Sequence, residues 1–410
     1  MPPSAKWTFM VYIAGDNNLS AAGDNDLAEM RQVGSTPEIN VVAQFDNAGT
    51  FGTRRFHIQR DGRNEVVEHL DETDSGSPEV LLGFIDWAAE NYPAEHYALV
   101  LWNHGGGWEP TEIDRIARAM GATDFSEREA SERSSTPLRR VFFRTSLQRI
   151  FEASTPTERA VCSDDGTGHS LDTLELERVM SRAVERLGCK FDLLGMDACL
   201  MNNYEVAYQL RDSALFLVAS EENEPNDGWP YDRILARLVE SPEMAAGDLA
   251  RHIVEDYVAS YVERGYRGNV TQCALDLSRV EELAAPLDDL AGALVTGMPS
   301  ASGEIWRSQR LSAHFAHNTL WDIADFCGQI GAGSVGEPIQ EAASLVRAAL
   351  APGQESPVLA EAHHGATVEH CGGVNVYLVP PLVRISPYYR ELAFAQDRRW
   401  LEMLEAYHAQ

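Results

Sequence analysis

Short apolar runs alternate with longer amphipathic stretches along the first 240 residues of the chain. Five apolar runs end in Gly, Asp, Asn or Glu and predict strands buried on both faces, over 7–18, 39–47, 97–105, 191–199 and 214–223. Between them, apolar residues recur with helical spacing and predict helices over 78–92, 171–187 and 199–213. Strands that alternate with helices favour a parallel sheet with helices on both sides, so the pattern predicts an α/β fold.

Three other stretches depart from this alternation. Residues 54–60 and 64–70 are joined through a Gly-containing turn and predict a small hairpin. From Gly105 to about Arg159 the apolar period disappears, and such a long aperiodic stretch is usually functional or disordered. The second half is mostly helical to Leu350, with two more strands predicted over 270–278 and 372–380.

Composition and charge exclude several classes of protein. The 410 residues carry a net charge of −30 and a pI near 4.7, which disfavours nucleic acid and anionic lipid as partners and favours cationic ones. No apolar run is long enough to span a bilayer, and no signal peptide is seen, so we expect a cytoplasmic protein, with secretion by another route as the alternative. The six cysteines have neither metal-ligand spacing nor the density of a disulfide framework.

Two of the predicted strands deliver reactive side chains at their carboxyl ends. One ends in His104 and the other in Cys199, and active sites of open parallel sheets form at this edge. Cys199 also precedes a helix predicted to start near Leu200, whose N-terminus would favour the thiolate. A histidine or a cysteine alone is more often a packing or turn residue, but the pair at equivalent strand ends favours a catalytic thiol activated by an imidazole.

Groups beside this pair suggest how a substrate would be held. Asp197 shares a face with Cys199 on an extended chain, and it is either a receptor for a cationic side chain or the N-cap of the following helix. The N–H groups of Gly105 and Cys199 could face an oxyanion. The stretch 220–232 is either a substrate-facing loop or a solvated loop with a buried tryptophan; its candidate residues are Glu221, Glu222, Asp227 and Trp229.

Metal binding has weaker support in the sequence. The Asp/Asn-rich stretches 16–26 and 163–172 offer oxygen ligands for calcium, but neither has EF-hand spacing, so turn and helix-cap chemistry is favoured. A histidine and glutamate cluster near residue 365 has no recognised metal spacing and is expected to be a surface loop; its members are Glu361, His363, His364, Glu369 and His370.

The His-Gly-Gly-Gly sequence at 104–107 also fits the oxyanion loop of an α/β-hydrolase esterase. That enzyme class needs a Gly-x-Ser-x-Gly elbow between a strand and a helix. The best match, AGSVG at 332–336, begins with alanine and follows a helix-like stretch, while GHSLD at 168–172 lacks the closing glycine. The esterase therefore ranks well behind an enzyme that uses the histidine–cysteine pair.

Four motifs carry a resemblance to a known family. In this order, WTFMVYIAGDNNL, YALVLWNHGGGW, FDLLGMDACLMNNYEVAYQL and VASEENEPNDGWPYD resemble the clostripain (C11) family of cysteine peptidases. The resemblance implies a caspase-like α/β/α sandwich with a mostly parallel central sheet, plus a largely helical C-terminal portion. On this basis we predict a catalytic core over 1–108 and 160–240, an Arg/Ser-rich insertion over 109–159, and a helical extension over 241–410.

The resemblance also implies roles for particular residues. His104 and Cys199 match the catalytic dyad, and Asp197 matches the acid at the base of the S1 pocket that selects Arg or Lys at P1. The family typically matures by self-cleavage after a basic residue beyond the catalytic histidine, where the candidates are Arg133, Arg139, Arg140 and Arg144. The chemistry itself requires no cofactor, although some members require Ca²⁺. The alternative is a non-catalytic homologue that binds basic peptides.

Overall fold

The computed structural model describes residues 5–17, 19–48, 52–60, 62–63, 65–108, 161–164, 169–315 and 319–410. The chain divides into two compact units. Unit 1 comprises Met1–Ala198 and Asn226–Met244, and unit 2 comprises Cys199–Pro225 and Ala245–Gln410. Compactness alone does not define a folding domain, so the domain boundaries predicted at 108, 160 and 240 stay predictions.

Unit 1 contains a large, mostly parallel sheet. Its strands are β1 (Ala5–Gly15), β2 (Ile39–Asn47), β3 (Thr53–His57), β4 (Val66–His69), β5 (Ala94–Trp102) and β8 (Phe191–Asp197). They lie in the order β8-β5-β1-β2-β3-β4, with parallel pairing from β8 to β2 and antiparallel pairing from β2 to β4. Most residues of the parallel strands are buried, as their continuous apolar runs predict, and the hairpin is confirmed as β3 and β4. A separate antiparallel pair consists of β6 (Val161–Asp164) and β7 (His169–Leu171).

Four helices, numbered along the whole chain, pack in two pairs in unit 1. They are α1 (Ser20–Val33), α2 (Pro78–Asn91), α3 (Thr173–Leu187) and α5 (Tyr231–Glu240). Helix α1 packs against α5, and α2 against α3. The local sequence explains where α3 starts: the Asp172 side chain accepts hydrogen bonds from the N–H groups of Leu174 and Glu175 in a capping box. Gly188, at φ 73°, ends the same helix in the left-handed conformation that favours glycine.

Unit 2 contains two sets of antiparallel strands. One has the order β13 (Val358–His364), β10 (Val270–Asp276) and β9 (Ala214–Ala219), and the other has the order β11 (His314–Phe315), β12 (Leu320–Asp322) and β14 (Asn375–Tyr377). The strands predicted over 270–278 and 372–380 are therefore confirmed as β10 and β14. Helices make up most of the remainder: α4 (Tyr204–Leu210), α6 (Ala246–Glu263), α7 (Val280–Leu311), α8 (Ile323–Ala332), α9 (Glu337–Ala349), α10 (Ala393–Asp397) and α11 (Trp400–His408).

The long helix α7 organises the helical part of unit 2. It runs for 32 residues and packs against α9 and α11, while α8 packs against α9. Its inward stripe includes Leu283, Leu287, Leu290 and Leu294, spaced at three and four residues as a helix face requires. The predicted helical C-terminal portion is therefore confirmed. No helix in the described part of the chain is long and apolar enough to cross a membrane.

Two predictions about local structure are wrong. Helix α4 begins at Tyr204 rather than near Leu200, because Leu200 adopts φ 62° and the chain stays non-helical up to the N-cap Asn203. Part of the histidine-containing cluster expected to be a surface loop, Glu361 to His364, belongs to strand β13, in which His363 lies opposite Thr271 of β10, whereas Glu369 and His370 do lie in an exposed turn. Most residues of β13 are half-exposed and several are polar, so the strand has no apolar run that would predict it.

Candidate active site

Strands β5 and β8 are parallel neighbours in unit 1, and their register aligns the two positions where the candidate chemistry begins. Trp102, the last residue of β5, lies opposite Asp197, the last residue of β8. The N–H of Asn103 donates to the Asp197 carbonyl oxygen over 3.3 Å and prolongs this pairing by one residue. His104 follows Asn103 directly and is half-buried. The histidine is therefore located at the carboxyl end of its strand, where the sequence predicts it.

Asn103 holds the backbone around His104. Its Oδ1 accepts the N–H of His104, and its Nδ2 donates to the carbonyl oxygen of Ala14 in β1. Gly105 is buried, and Gly107 adopts φ 80°, so the chain turns sharply after the histidine in a conformation that favours glycine. Sequence analysis missed Asn103. A single polar residue directly after an apolar run was the available signal.

Asp197 is a buried acid surrounded by neutral donors of unit 1. Its side chain is 4% exposed, and its Oδ2 accepts hydrogen bonds from the Tyr231 hydroxyl at 2.8 Å and the Trp229 N–H at 3.3 Å. Gly228, at φ 56°, lies so close that a Cβ there would stand 3.1 Å from this Oδ2. The N-cap alternative for Asp197 is wrong, because the following helix starts at Tyr204 and has Asn203 as its N-cap.

A second acid, Asp26, lies beside Asp197. Its side chain points inward from α1 and accepts the indole N–H of Trp102 over 2.6 Å. Burial, followed by the negative charges of Asp197 and Glu29, raises the pKa of Asp26 well above its usual range. Sequence analysis missed Asp26 although a signal existed: it falls on the buried stripe of α1 between Gly23 and Met30, where an acid is unexpected.

Cys199 belongs to unit 2 and is half-buried. Its Sγ accepts the N–H of Glu224 over 3.3 Å and lies 3.8 Å from the Glu224 carbonyl oxygen. The next residues are bound to the same segment, since the Leu200 N–H donates to the Glu222 carbonyl oxygen and the Asn202 N–H to that of Ser220. Because α4 starts five residues later, the predicted helix N-terminus at Cys199 is wrong. The N–H group that reaches the sulfur belongs to Glu224.

Cys199 differs from most other cysteines of the chain in its accessibility. Cys162, Cys273 and Cys327 are buried, and burial raises the pKa of each thiol. A nucleophilic thiol must be reachable by substrate and stabilised as a thiolate, which buried apolar surroundings oppose. Cys189 is exposed, and it lies between α3 and β8 rather than after a strand.

The candidate substrate loop 220–232 is divided between the two units. Glu221 of unit 2 and Trp229 of unit 1 have no exposed surface, whereas Glu222 is half-buried and Asp227 is exposed. The Trp229 ring packs so tightly on β8 that a Cβ at Gly195 would lie 2.7 Å from its Cη2. These positions put Glu221 and Trp229 in the packed interiors of their units, and the substrate role predicted for the loop stays a prediction.

The remaining predicted site residues divide into three groups. The four candidate cleavage points Arg133, Arg139, Arg140 and Arg144 lie outside the described residues. In the Asp/Asn-rich stretch 163–172, Asp172 is a helix cap, which fits the chemistry favoured for it. In strand β13, His363 Nδ1 lies 3.0 Å from Glu361 Oε2, which raises the pKa of this histidine.

One group of side chains in the described part of unit 2 could hold a metal ion. Glu221, Asp322 and Cys371 are all buried, and their candidate ligand atoms lie within 4.8 Å of one another. Its carboxylates could serve calcium, but a thiol is not a calcium ligand. Sequence analysis had no reason to group these residues, because 49 to 150 positions separate them along the chain.

Comparison with known proteins gives consistent results over nearly the whole chain. The model of the clostripain family, Peptidase C11, matches residues 11–132 and 149–406. Clostripain from Hathewaya histolytica is 30% identical over 264 residues, which make up 57% of this chain and 42% of that protein. The chain thus spans about two fifths of the length of this curated relative.

Solved structures resemble the chain in fold. A secreted C11 cysteine protease from Bacteroides thetaiotaomicron, in complex with an irreversible peptide inhibitor, is 20% identical with a TM-score of 0.63, covering 99% of this chain and 100% of that one. An inactive zymogen C11 protease from Parabacteroides distasonis is 19% identical with a TM-score of 0.65, covering 97% and 99%. The predicted caspase-like fold is therefore confirmed.

Proposed function

Because the chain belongs to the clostripain family of C11 cysteine peptidases, we propose that it is a cysteine endopeptidase that cleaves after basic residues, Arg in preference to Lys. The observation that carries the proposal is the buried pair of acids, Asp197 and Asp26, at the end of β8. A guanidinium bound at this pair would neutralise the charge of Asp197 and reduce the repulsion on Asp26. The 30% identity to clostripain over 264 residues also supports the proposal.

Cys199 and His104 form the catalytic dyad of this proposal. Trp102 and Asp197 are paired in unit 1. His104 lies two residues after Trp102, and Cys199 lies two residues after Asp197. The thiolate of Cys199 attacks the scissile carbonyl carbon, and His104 donates a proton to the departing amine, which leaves an acyl-enzyme. Water, deprotonated by His104, then attacks the acyl carbon and releases the carboxylate and the thiol.

Backbone groups stabilise the charge that develops during acylation. In the proposal, the N–H groups of Gly105 and Cys199 donate to the oxyanion of the tetrahedral intermediate. The turn after His104 supports this role, because Gly107 at φ 80° redirects the chain directly beyond the histidine. The Asn103 side chain, bonded to the His104 N–H, limits the freedom of the same segment.

Specificity follows from the surroundings of Asp197. The Tyr231 hydroxyl and the Trp229 N–H hold one of its oxygens in place, so the carboxylate is oriented before substrate arrives. A P1 guanidinium binds Asp197 with two parallel hydrogen bonds, and Asp26 adds negative potential. A lysine ammonium lacks the planar fork of arginine and binds less tightly.

The test uses peptides that carry Arg, Lys or citrulline at P1, because citrulline has the shape of arginine without its charge. The wild type should cleave them in the order Arg, Lys, citrulline, and Cys199→Ala should cleave none. Cys189→Ala removes another accessible thiol and should leave turnover unchanged. Equal turnover by wild type and Cys199→Ala would disprove the nucleophile assignment.

Mass mapping of covalent probes separates the other functions. An acyloxymethyl ketone with Arg at P1 should label Cys199, and a fluorophosphonate should label no serine. Binding of Arg peptides without turnover or thiol labelling would favour the non-catalytic basic-peptide receptor. Labelling of a serine would favour the esterase.

Two further properties of the family belong to the proposal. We place self-cleavage in 109–159, after Arg133, Arg139, Arg140 or Arg144, and a zymogen occurs among the proteins of similar fold. Mass analysis of wild type and Cys199→Ala should give a cut chain for the first and an intact chain for the second. Activity measured with and without EGTA tests the accessory role of Ca²⁺.

A further inference from the structure

Three separate segments of unit 2 bring their side chains to one buried point. Glu221 follows β9, Asp322 ends β12, and Cys371 precedes β14. Two carboxylates and a thiol thus offer ligand atoms that all lie within 4.8 Å of one another. Glu221 and Asp322 have no exposed surface, and Cys371 is 6% exposed.

The carboxylate of Glu221 has no hydrogen-bond partner for either oxygen. Asp322 is better satisfied, because its Oδ1 accepts the Asp325 N–H at 2.6 Å and its Oδ2 accepts the Gly372 N–H at 2.8 Å. A buried carboxylate without a donor, beside a second carboxylate, is strongly unfavourable. Burial raises the pKa of Glu221, so the group is neutralised either by a proton bonded to Asp322 or by a cation bound beside both carboxylates.

The described part of the protein does not provide a positive charge through a direct ion pair. None of its lysines or arginines forms an ion pair with Glu221 or Asp322 within the described residues. Of the two histidines on β13, His363 is bonded to Glu361, and His364 contacts the Tyr266 carbonyl oxygen. A bound cation would satisfy both the geometry and the charge.

We propose that Glu221, Asp322 and Cys371 hold one Zn²⁺ ion inside unit 2. Zinc accepts both thiolate and carboxylate ligands, at about 2.3 and 2.0–2.2 Å, so ligand atoms in a tetrahedral site lie roughly 3.3–3.7 Å apart. Side-chain rotations that draw the atoms together by about 1 Å complete that geometry. On binding, the Cys371 thiol releases its proton to solvent and binds zinc as the thiolate. Calcium would bind the carboxylates and leave the sulfur unused.

Asn202 supplies a candidate fourth ligand on the same side of unit 2. Its Nδ2 donates to the carbonyl oxygen of Gly373, two residues beyond Cys371. Its Oδ1 is buried and has no hydrogen-bond partner. Because Asn202 is bonded to the segments that carry Cys371 and Glu221, this unpaired acceptor is the candidate fourth ligand, directly or through a water.

The site lies on the segment that touches the candidate nucleophile. Glu221 is three residues from Glu224, whose N–H donates to Cys199 Sγ. The Asn202 N–H also donates to the Ser220 carbonyl oxygen, so the chain after Cys199 is bonded to the segment that carries Glu221. Zinc would therefore fix the segment that positions the thiol, and Glu221 is a positioning residue rather than a catalytic one.

The test measures zinc in the Cys199→Ala full chain, which removes a competing thiol and makes the result independent of peptidase activity. Protein purified without metal-affinity resin is analysed by mass spectrometry for metals, then stripped with a chelator and titrated with Zn²⁺ or Co²⁺. We expect one zinc per chain and, with cobalt, a sulfur-to-metal charge-transfer band in the near ultraviolet. Cys371→Ala should abolish that band, and Glu221→Gln should weaken zinc binding at least about tenfold.

Cys327→Ala is the matched control, because Cys327 is a buried cysteine of the neighbouring helix α8 outside the ligand group. It should keep both the zinc and the cobalt band. If the ligand variants do not fold, the cobalt spectrum of the chain with Cys371 intact still decides the question. A chain that takes up no zinc from excess, or that binds calcium with no cobalt–sulfur band, overturns the proposal. Full zinc binding by Cys371→Ala overturns it as well.

Discussion

Each of the two units buries a group of acids, and the two groups differ in what surrounds them. In unit 1, Asp197 and Asp26 accept hydrogen bonds from a phenol, an indole and a backbone N–H. In unit 2, Asp322 accepts two backbone N–H groups, but Glu221 beside it accepts none, and Cys371 adds a thiol.

The difference separates two uses of buried negative charge. The Tyr231 hydroxyl and the Trp229 N–H orient the carboxylate of Asp197, which suits a site that binds and releases a cationic side chain. A buried carboxyl group without donors, such as Glu221, is neutralised by a proton or by a bound cation, and the proposed zinc is such a cation. We therefore expect unit 1 to exchange its cation during turnover and unit 2 to retain its own.

The largest effect should follow from removing the charge of Asp197. Asp197→Asn keeps the side-chain volume but loses the partner of the P1 guanidinium, which costs about 3–5 kcal/mol, or at least about 100-fold in kcat/KM for an Arg substrate. The citrulline substrate should be cleaved equally by both enzymes. An equal loss on both substrates would show that Asp197 acts on the fold or the dyad rather than on P1.

Glu205 provides a buried acid in unit 2 that does have donors. Its Oε1 accepts the Tyr377 N–H at 3.0 Å and the Tyr389 hydroxyl at 2.9 Å, and burial raises its pKa to about 7. The folded state therefore keeps a proton that the unfolded state loses above about pH 4.5, so the free energy of unfolding falls between pH 4.5 and 7.

Glu205→Gln removes this titration. The stability of the variant relative to wild type should therefore increase by on the order of 3 kcal/mol between pH 4.5 and 8, as measured by urea unfolding. Glu402→Gln, an exposed change on α11, controls for the loss of one charge. A pH-independent difference between wild type and Glu205→Gln would contradict the assignment.

The smallest effect should come from a donor rather than an acid. Tyr231→Phe removes the hydroxyl that orients Asp197 and should lower kcat/KM for Arg substrates about tenfold, the roughly 1.5 kcal/mol of a hydrogen bond to a charged group. Tyr12→Phe is the matched control, because its buried hydroxyl donates to the Ser75 carbonyl oxygen, in the same unit but away from Asp197. Equal losses in the two variants would show a general effect on stability.

The parallel strands of unit 1 could be predicted because each one is a continuous apolar run in the sequence. The run predicted as 7–18 is β1 over Ala5–Gly15, and the run at 39–47 is β2 with the same bounds. Strand β13 could not be found this way, because its polar residues are tolerated only through pairing with β10, about 90 positions earlier. The start of α4 was missed for a similar reason, since the Leu200 N–H bonds to a carbonyl oxygen 22 residues further on.

The residues of the candidate site that follow a strand could be predicted from the sequence, but the residues that surround them could not. His104 and Asp197 could be located because each follows an apolar run. Asp26 reaches the site from helix α1 through Trp102, 76 positions away, so only the fold reveals the contact. The proposed zinc ligands likewise come from three segments that no spacing rule connects.

The raised pKa of Asp26 links substrate binding to the uptake and release of protons. Asp26 holds a proton because it is buried beside the charge of Asp197. When the guanidinium of a P1 arginine neutralises Asp197 in the proposed pocket, that repulsion ends and the pKa of Asp26 falls, although burial still raises it, and we expect Asp26 to release part of its proton. A fraction of a hydrogen ion per chain therefore leaves the protein as the peptide enters, and affinity for Arg peptides increases with pH. The heat of binding would then depend on the ionisation enthalpy of the buffer, which calorimetry in two buffers measures directly.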